Sequence, residues 1–454
     1  MQKLFDEVAS LDKRCYEEFC LSEDILMEHA ADGMAQFIRN KFAKESKVII
    51  VCGSGNNGAD GIACARLLHK DYKVSIFYAK EPKSQMATLQ ALRANAIHVN
   101  ICDDILECDV LVDSIVGTGF KGEFDSKIQD IIEKMNESKS YKIACDVPSK
   151  GFTADSTLTM GALKKSMFLD NVKDSMGEIE VLDLGISREI YEGETNWNVL
   201  DMDDLILPQR DKKDSHKGSF GHLALACGEK SGASILSALS AFRFGAGLVT
   251  LVGFKDESIP YSVMYSHEIP LNATALALGM GLGDEFSDKE MLKFLDNRLP
   301  MICDADIFSM DVILEILSRE NLVLTPHPKE FVSLLKITNL VDITTEELQK
   351  NRFEYVEMFC KKYPKTTLLL KGANVIIGQK DKFYINPHGT SKLAKGGSGD
   401  VLSGLVGALL AQGFSCLESA INASLAHTQL ALNYKGADFS LTPEDLILEI
   451  GSLE

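Results

Sequence analysis

Lys47-Val48-Ile49-Ile50-Val51-Cys52 is an almost unbroken apolar run that empties into Gly53-Ser54-Gly55-Asn56-Asn57-Gly58-Ala59-Asp60-Gly61. Helical spacing follows from Ile62 to His69, and a second strand pattern occupies Tyr72 to Tyr78. A strand apolar on both faces needs cover on both, and a strand–helix–strand unit supplies it through a parallel crossover. The Gly-rich turn therefore commits this part of the chain to an open α/β sheet, with ligands expected beyond the carboxyl ends of its strands. Two further runs, Val110-Leu111-Val112-Asp113 and Ile143-Ala144-Cys145-Asp146, each place an aspartate at such an end. Upstream, Leu21 to Phe42 has the apolar spacing of an amphipathic helix, with Ser22 as its cap.

The alternation runs to a strand at Glu178 to Leu184. Mixed charge, Pro208 and the single tryptophan, Trp197, then suggest a linker over 193–215. A second α/β half opens at Gly218-Ser219-Phe220-Gly221 and the strand His222 to Cys227, so two domains are expected, 1–205 and 206–454. Near its end, Lys395-Gly396-Gly397-Ser398-Gly399-Asp400 runs into the apolar stretch Val401 to Val406. Glycines let backbone N–H groups converge, and a helix start adds positive potential, which together suit anionic oxygen. A carboxylate in that first turn can accept a proton from a hydroxyl lying against a phosphate. Taken alone, the motif could also be an ordinary turn with Asp400 as a helix cap, the lesser of the two readings.

Composition narrows the partners. A net charge of −19 over 454 residues argues against nucleic acid and anionic membrane surfaces. The eleven cysteines lack a paired C-x-x-C pattern, which suggests free thiols in a reducing cytosol. Cys102 and Cys108 flank an acidic loop and are expected to be packed or solvated thiols rather than metal ligands. No apolar run is long enough to span a bilayer, and Met1 to Glu7 has no signal-peptide core, so a cytoplasmic protein is expected.

The Asn-Asn-Gly-x-Asp core at 56–60, Asp113 in Asp-Ser-Ile-Val-Gly-Thr-Gly, Asp146 in Asp-Val-Pro-Ser, and Thr159 to Lys165 resemble the NAD(P)HX epimerase family. The second half is similar to the ADP-dependent NAD(P)HX dehydratases through His216-Lys217-Gly218, Ser231-Gly232-Ala233, Gly279-Met280-Gly281-Leu282-Gly283, Thr325 to Phe331, Leu370-Lys371-Gly372-Ala373 and the Gly-Gly-Ser-Gly-Asp loop. A chain carrying both resembles the bifunctional NAD(P)H-hydrate repair enzymes. The resemblance implies a Rossmann-like three-layer domain followed by a ribokinase-like α/β domain.

For the first half, the resemblance implies a K+ ion held by Asn57, Asp113 and Ser149. Substrate contacts would come from Asn56, Asn57, Gly58, Ala59 and Asp60, from Gly117, Thr118, Gly119, Phe120, Lys121 and Gly122, and from Asp146. Asp113 would either handle a proton or fix the cation. For the second half, it implies ADP, with Mg2+ on its phosphates, along Lys371, Gly372, Ala373, Asn374, Val375, Gly396, Gly397, Ser398 and Gly399. Ala233, Gly281 and His327 would contact the hydrate, and Asp400 would be the base. NADHX, NADPHX and ADP are the implied small-molecule partners, and a homo-oligomer is expected.

Lys150 stands where the family has glycine, which puts the loop near Ser149 in question if φ > 0 is needed there. Met280, Lys329 and Lys395 also depart from the pattern. Two competing readings are an ATP-dependent ribokinase-like kinase for a small alcohol and a non-catalytic nucleotide-binding first half.

Overall fold

In the computed structural model, all residues except Lys121 and Glu285 are described, so the expectation for Lys121 lies outside the described residues. The chain divides into two compact units, Lys3–Thr195 and Asn196–Glu454, the latter joined by Met1–Gln2.

In the first unit, seven parallel strands run in the order Asn100–Ile101, Lys73–Tyr78, Lys47–Cys52, Val110–Ser114, Tyr141–Cys145, Ser156–Met160 and Glu178–Leu182. The pleat splits the central strand between two cores. Val48, Ile50 and Cys52 pack with Met34 and Ile38 of the helix Glu23–Lys41 and with Ile62 and Leu68 of the helix Asn56–Leu68. Ile49 and Val51 face the opposite layer, with Ile128, Ile132 and Met135 of the helix Ser126–Glu137. Three layers result. Lys47–Cys52 pairs with Lys73–Tyr78 on one side and Val110–Ser114 on the other, so strand order reverses at its carboxyl end, where the Gly-rich loop sits.

The helix after that loop starts at Asn56, six residues before the Ile62 that the apolar spacing suggests. Its early glycines serve close packing. A Cβ at Gly58 would fall 2.0 Å from the Gly53 carbonyl oxygen, and one at Gly61 2.6 Å from the Ser114 side chain.

The second unit has a mixed sheet. Parallel strands run in the order Met264–Ser266, Leu248–Gly253, His222–Cys227, Ala275–Leu278, Met301–Cys303, Leu322–Leu324 and Thr366–Leu370. Val375–Gln379 and Lys382–Asn386 continue it antiparallel. The helices Ser231–Arg243, Ser398–Ala411 and Cys416–Asn433 contribute Ala238, Leu405, Val406, Ala423 and Leu430 to one core over it.

The expected linker needs correcting at its start. Trp197–Val199 is a strand, paired in parallel with Phe383–Ile385. Trp197 is 3% exposed and stacks on Phe383 at 4.6 Å. The compact units accordingly divide after Thr195, ten residues before the boundary read at 205. Cys102 and Cys108 are packed thiols, bonded to the Ile76 carbonyl and beside the Ser140 hydroxyl.

Candidate functional sites

In the first unit, Asp113 is the penultimate residue of the strand Val110–Ser114 and is fully buried. Its Oδ1 accepts hydrogen bonds from Ser149 Oγ at 2.8 Å and Ile115 N at 3.1 Å, and its Oδ2 from Ser149 N at 2.7 Å. Burial outweighs these three donors and pushes the carboxyl up to about 6. No Lys or Arg pairs with it among the described residues. Asp113 is thus a buried carboxylate without a counter-charge, and Asn57 Nδ2 is a buried donor with no hydrogen-bond partner. Asn57 Oδ1 would lie 3.4 Å and Asp146 Oδ2 3.1 Å from a Cβ at Gly117, so that glycine brings the two side chains into one wall.

Asp146 follows its strand at φ +69°, an uncommon conformation for a non-glycine residue. Its Oδ1 accepts from Lys164 Nζ at 2.5 Å and Thr159 Oγ1 at 3.3 Å, and its Oδ2 from Thr118 N at 3.4 Å. Burial opposes its charge, but the Lys164 ammonium prevails and holds the carboxyl below the usual range. Asp60 goes the other way: burial, reinforced by Asp146 and Asp12, pushes it well above the usual range. Asp60, Asn56, Asp12, Tyr16, Glu23 and Met160 line a cavity of about 110 Å³. That is smaller than pockets enclosing drug-sized ligands and is on the scale of one ring. Phe120 stacks on Phe124 at 4.6 Å beside the 117–120 segment.

In the second unit, Gly397 at φ +89° starts the helix Ser398–Ala411 and places Asp400 in its first turn. The left-handed glycine is the cap, so Asp400 keeps its side chain free of that duty. Burial, with Asp304 nearby, pushes Asp400 up to about 6 against the pull of Lys371. Lys371 Nζ lies 2.8 Å from Asp304 Oδ1 and 4.0 Å from Glu330 Oε2. It would be 3.6 Å from a Cβ at Gly399, so the ammonium crosses the mouth of the Gly-rich loop. Ser398 Oγ and His427 Nε2 are 3.1 Å apart, and burial takes His427 down to about 4, leaving it neutral.

His327 caps the helix Pro328–Ile337, its Nδ1 accepting from Glu330 N while Glu330 Oε2 accepts from His327 N. Burial lowers the imidazole below its usual range and takes the Glu330 carboxyl up to about 7. Ala233 and Gly281 come together: a Cβ at Gly281, φ +66°, would stand 3.1 Å from that of Ala233. Gly372, Ala373 and Asn374 form the turn from Thr366–Leu370 into Val375–Gln379.

The profile of the family described as NAD(P)H-hydrate dehydratase matches residues 223–451. That of the YjeF-related protein N-terminus matches 23–167. The chain is 42% identical to the bifunctional NAD(P)H-hydrate repair enzyme Nnr of Helicobacter pylori, covering all of both chains. This chain belongs to the bifunctional NAD(P)H-hydrate repair family. Its Coxiella burnetii relative of the same name is 31% identical over 92% of each chain. Among solved structures, it is similar to the ADP/ATP-dependent NAD(P)H-hydrate dehydratase of Bacillus subtilis, co-crystallised with ATP/Mg2+. There the identity is 26%, covering 54% of this chain and 92% of that one, with a TM-score of 0.46.

The departures from the repair-family pattern find local explanations. The left-handed residue after Ser149 is Gly151, φ +90°, and Lys150 is not among the residues with positive φ, so the concern over Lys150 is overturned. The Lys150 ammonium pairs with exposed Glu123. Lys395 donates to the Phe439 carbonyl at 2.8 Å, Met280 is buried, and Lys329 is exposed on its helix. Four polar groups of these clefts escaped the sequence reading as site residues: Lys164, Asp304, Glu330 and His427. Asp304 follows Met301–Cys303 just as Asp146 follows its own strand, so the strand-end rule could have found it.

Proposed function

We propose that the first unit interconverts R- and S-NAD(P)HX and that the second dehydrates the S form at the expense of ADP. The reading is carried by one observation: one chain of the repair family holds two chemically distinct carboxylate clefts, at Asp113 and at Asp400. Asp400 keeps a carboxyl near 6, able to exchange protons around neutrality, and Asp113 is fully buried without a counter-charge.

At the first cleft, the hydrate carries its hydroxyl on C6, next to the ring nitrogen. When the C6–O bond breaks, the N1 lone pair takes up the positive charge, and water returning on the opposite face gives the other epimer. The residues need only seat the nucleotide, stabilise that cation and exchange a proton. Asn56 to Asp60 and Gly117 to Gly122 would seat the phosphates. Asp146, held ionised by Lys164, would supply negative charge to the ring. Asn57, Asp113 and Ser149 would hold a K+ ion, which when bound supplies the positive charge that keeps Asp113 ionised.

At the second cleft, Asp400 accepts the proton of the C6 hydroxyl, and its oxygen attacks the β-phosphorus of ADP. The bond from that phosphorus to the bridging oxygen breaks and AMP leaves. Phosphate then departs from C6, a C5 proton is lost, and the dihydropyridine is restored. Mg2+ would neutralise the phosphates while Lys371 and the Gly396–Gly399 backbone orient them. Ala233, Gly281 and His327 would contact the hydrate. We assign a cytoplasmic enzyme, in line with its eleven free cysteines, and expect it to be a homo-oligomer.

The test is recovery of dihydropyridine absorbance from an equilibrated R/S hydrate mixture given ADP. Full recovery, with AMP and phosphate in equal amounts, is expected. Recovery that halts at the S fraction would remove the epimerase assignment, and turnover of other alcohols with ATP alone would favour the kinase reading.

A further inference from the structure

Lys371 faces three carboxyl groups, Asp304, Glu330 and Asp400, which together are the strongest favourable charges on it. Among the described residues Lys371 is the one ammonium paired with this group, and its placement decides what Asp400 can do. An ammonium paired directly with Asp400 would hold that carboxylate as an ion pair and blunt it as a base. In the structure, Lys371 instead bonds to Asp304 at 2.8 Å and approaches Glu330 at 4.0 Å, while no pair with Asp400 within 4.0 Å occurs among the described residues.

Asp304 is built to win that competition. It is 2% exposed, its N donates to the Leu278 carbonyl at 3.0 Å, and Gly279 packs where a Cβ would fall 1.8 Å from the Asp304 carbonyl oxygen. Its second oxygen, Oδ2, accepts from Ser403 Oγ at 2.7 Å. The same Ser403 hydroxyl lies 3.0 Å from the Gly399 carbonyl oxygen, which ties the arrangement to the helix that carries Asp400. Lys371 is fixed at its other end by its backbone N, which donates to the Pro326 carbonyl at 2.9 Å.

We infer that Asp304 is a positioning residue for dehydration: it holds the Lys371 ammonium over the Gly396–Asp400 loop, available to the phosphates and withheld from Asp400. The inference rests on the dehydratase reading above. Charged groups facing Asp400 are Asp304, Lys371 and Asp306, so removing the Asp304 charge takes away proton affinity from Asp400.

The experiment is steady-state dehydration of S-hydrate by the full-length chain, with ADP varied, from about pH 5 to about pH 9. Asp304→Asn keeps the shape and an acceptor for Ser403 but loses the charge. It is expected to raise KM for ADP about tenfold, lower kcat, and move the acid limb of kcat to lower pH. Ser403→Ala, which releases one of the two bonds to Asp304, is expected to raise KM for ADP about threefold with the limb nearly in place. A purely structural role would lower the fraction of active enzyme and leave both KM and the limb alone. A folded Asp304→Asn with wild-type KM and an unmoved limb overturns the inference. If that variant does not fold, wild-type KM in Ser403→Ala overturns it. The wild-type rate separates the two levels: with no ADP-dependent product from the unaltered enzyme, the dehydratase reading itself fails.

Discussion

Lys164 Nζ sits 2.5 Å from Asp146 Oδ1, and the lysine side chain is 1% exposed. Its remaining donors reach Thr159 Oγ1 at 2.6 Å and the Met160 carbonyl at 3.5 Å, so the ammonium is satisfied without water. Removing one partner from such a pair strands the other charge in low dielectric.

Lys164→Met is therefore expected to cost about 3 kcal/mol of stability in the first unit, read by urea denaturation at neutral pH. Epimerisation should fall with it, because Asp146 would take up a proton. Asp146 titrates below the usual carboxylate range, so its share of stability is present above that range and lost as pH falls through its folded value. The gap between wild type and variant should close in acid. An equal gap at all pH values would contradict this account.

Asp113 titrates up at about 6, so between the ordinary carboxylate range and 6 the folded chain binds more proton than the unfolded one. Stability contributed by this group falls as pH rises through that window, by on the order of 3 kcal/mol when complete. A cation at Asn57, Asp113 and Ser149 would restore it. KCl should raise the melting temperature of the first unit at pH 8 more than at pH 5, with choline chloride as the ionic-strength control. Asp113→Ala should abolish both this increment and S/R interconversion while S-form dehydration continues. A K+ response surviving in Asp113→Ala would refute the site.

Asp400→Asn should lower kcat for dehydration by a factor of about 10² to 10⁴, with ADP binding retained by calorimetry. In the wild type, kcat should decline below pH 6 as this carboxyl takes a proton. Full activity in the variant would exclude the residue as the base.

Lys150→Gly should leave epimerisation within about twofold of wild type, because Lys150 needs no left-handed conformation. Gly151→Ala, at φ +90°, should destabilise the first unit by about 1 kcal/mol and slow epimerisation through the Ser149 turn. The reverse ranking of the two variants would count against the loop geometry described.

Strand runs such as Lys47–Cys52 and Val110–Ser114 were legible because parallel strands covered on both faces are mostly apolar. The glycine loops were legible because few other residues supply those turns. Trp197 was misread because a three-residue strand is too short to show alternation, and its polar neighbours look like linker. The helix start at Asn56 was hidden by Gly58 and Gly61, whose low helix propensity is overridden by close contact with Gly53 and Ser114. The resemblance named Asp113 and Ser149 as members of one site, and in the fold Ser149 donates both its N–H and its hydroxyl to Asp113. Lys164 acts through Asp146, a partner separated from it in the chain, which a linear pattern does not encode.

Gly53 has room for no side chain at all: a Cβ there would stand 1.9 Å from the Ile115 carbonyl oxygen. The turn that would receive phosphate is thus already wedged against the exit of the neighbouring strand before any nucleotide arrives. Capture at that spot requires no ordering of a slack segment, so little entropy is surrendered on arrival and encounter alone can limit how fast the coenzyme docks.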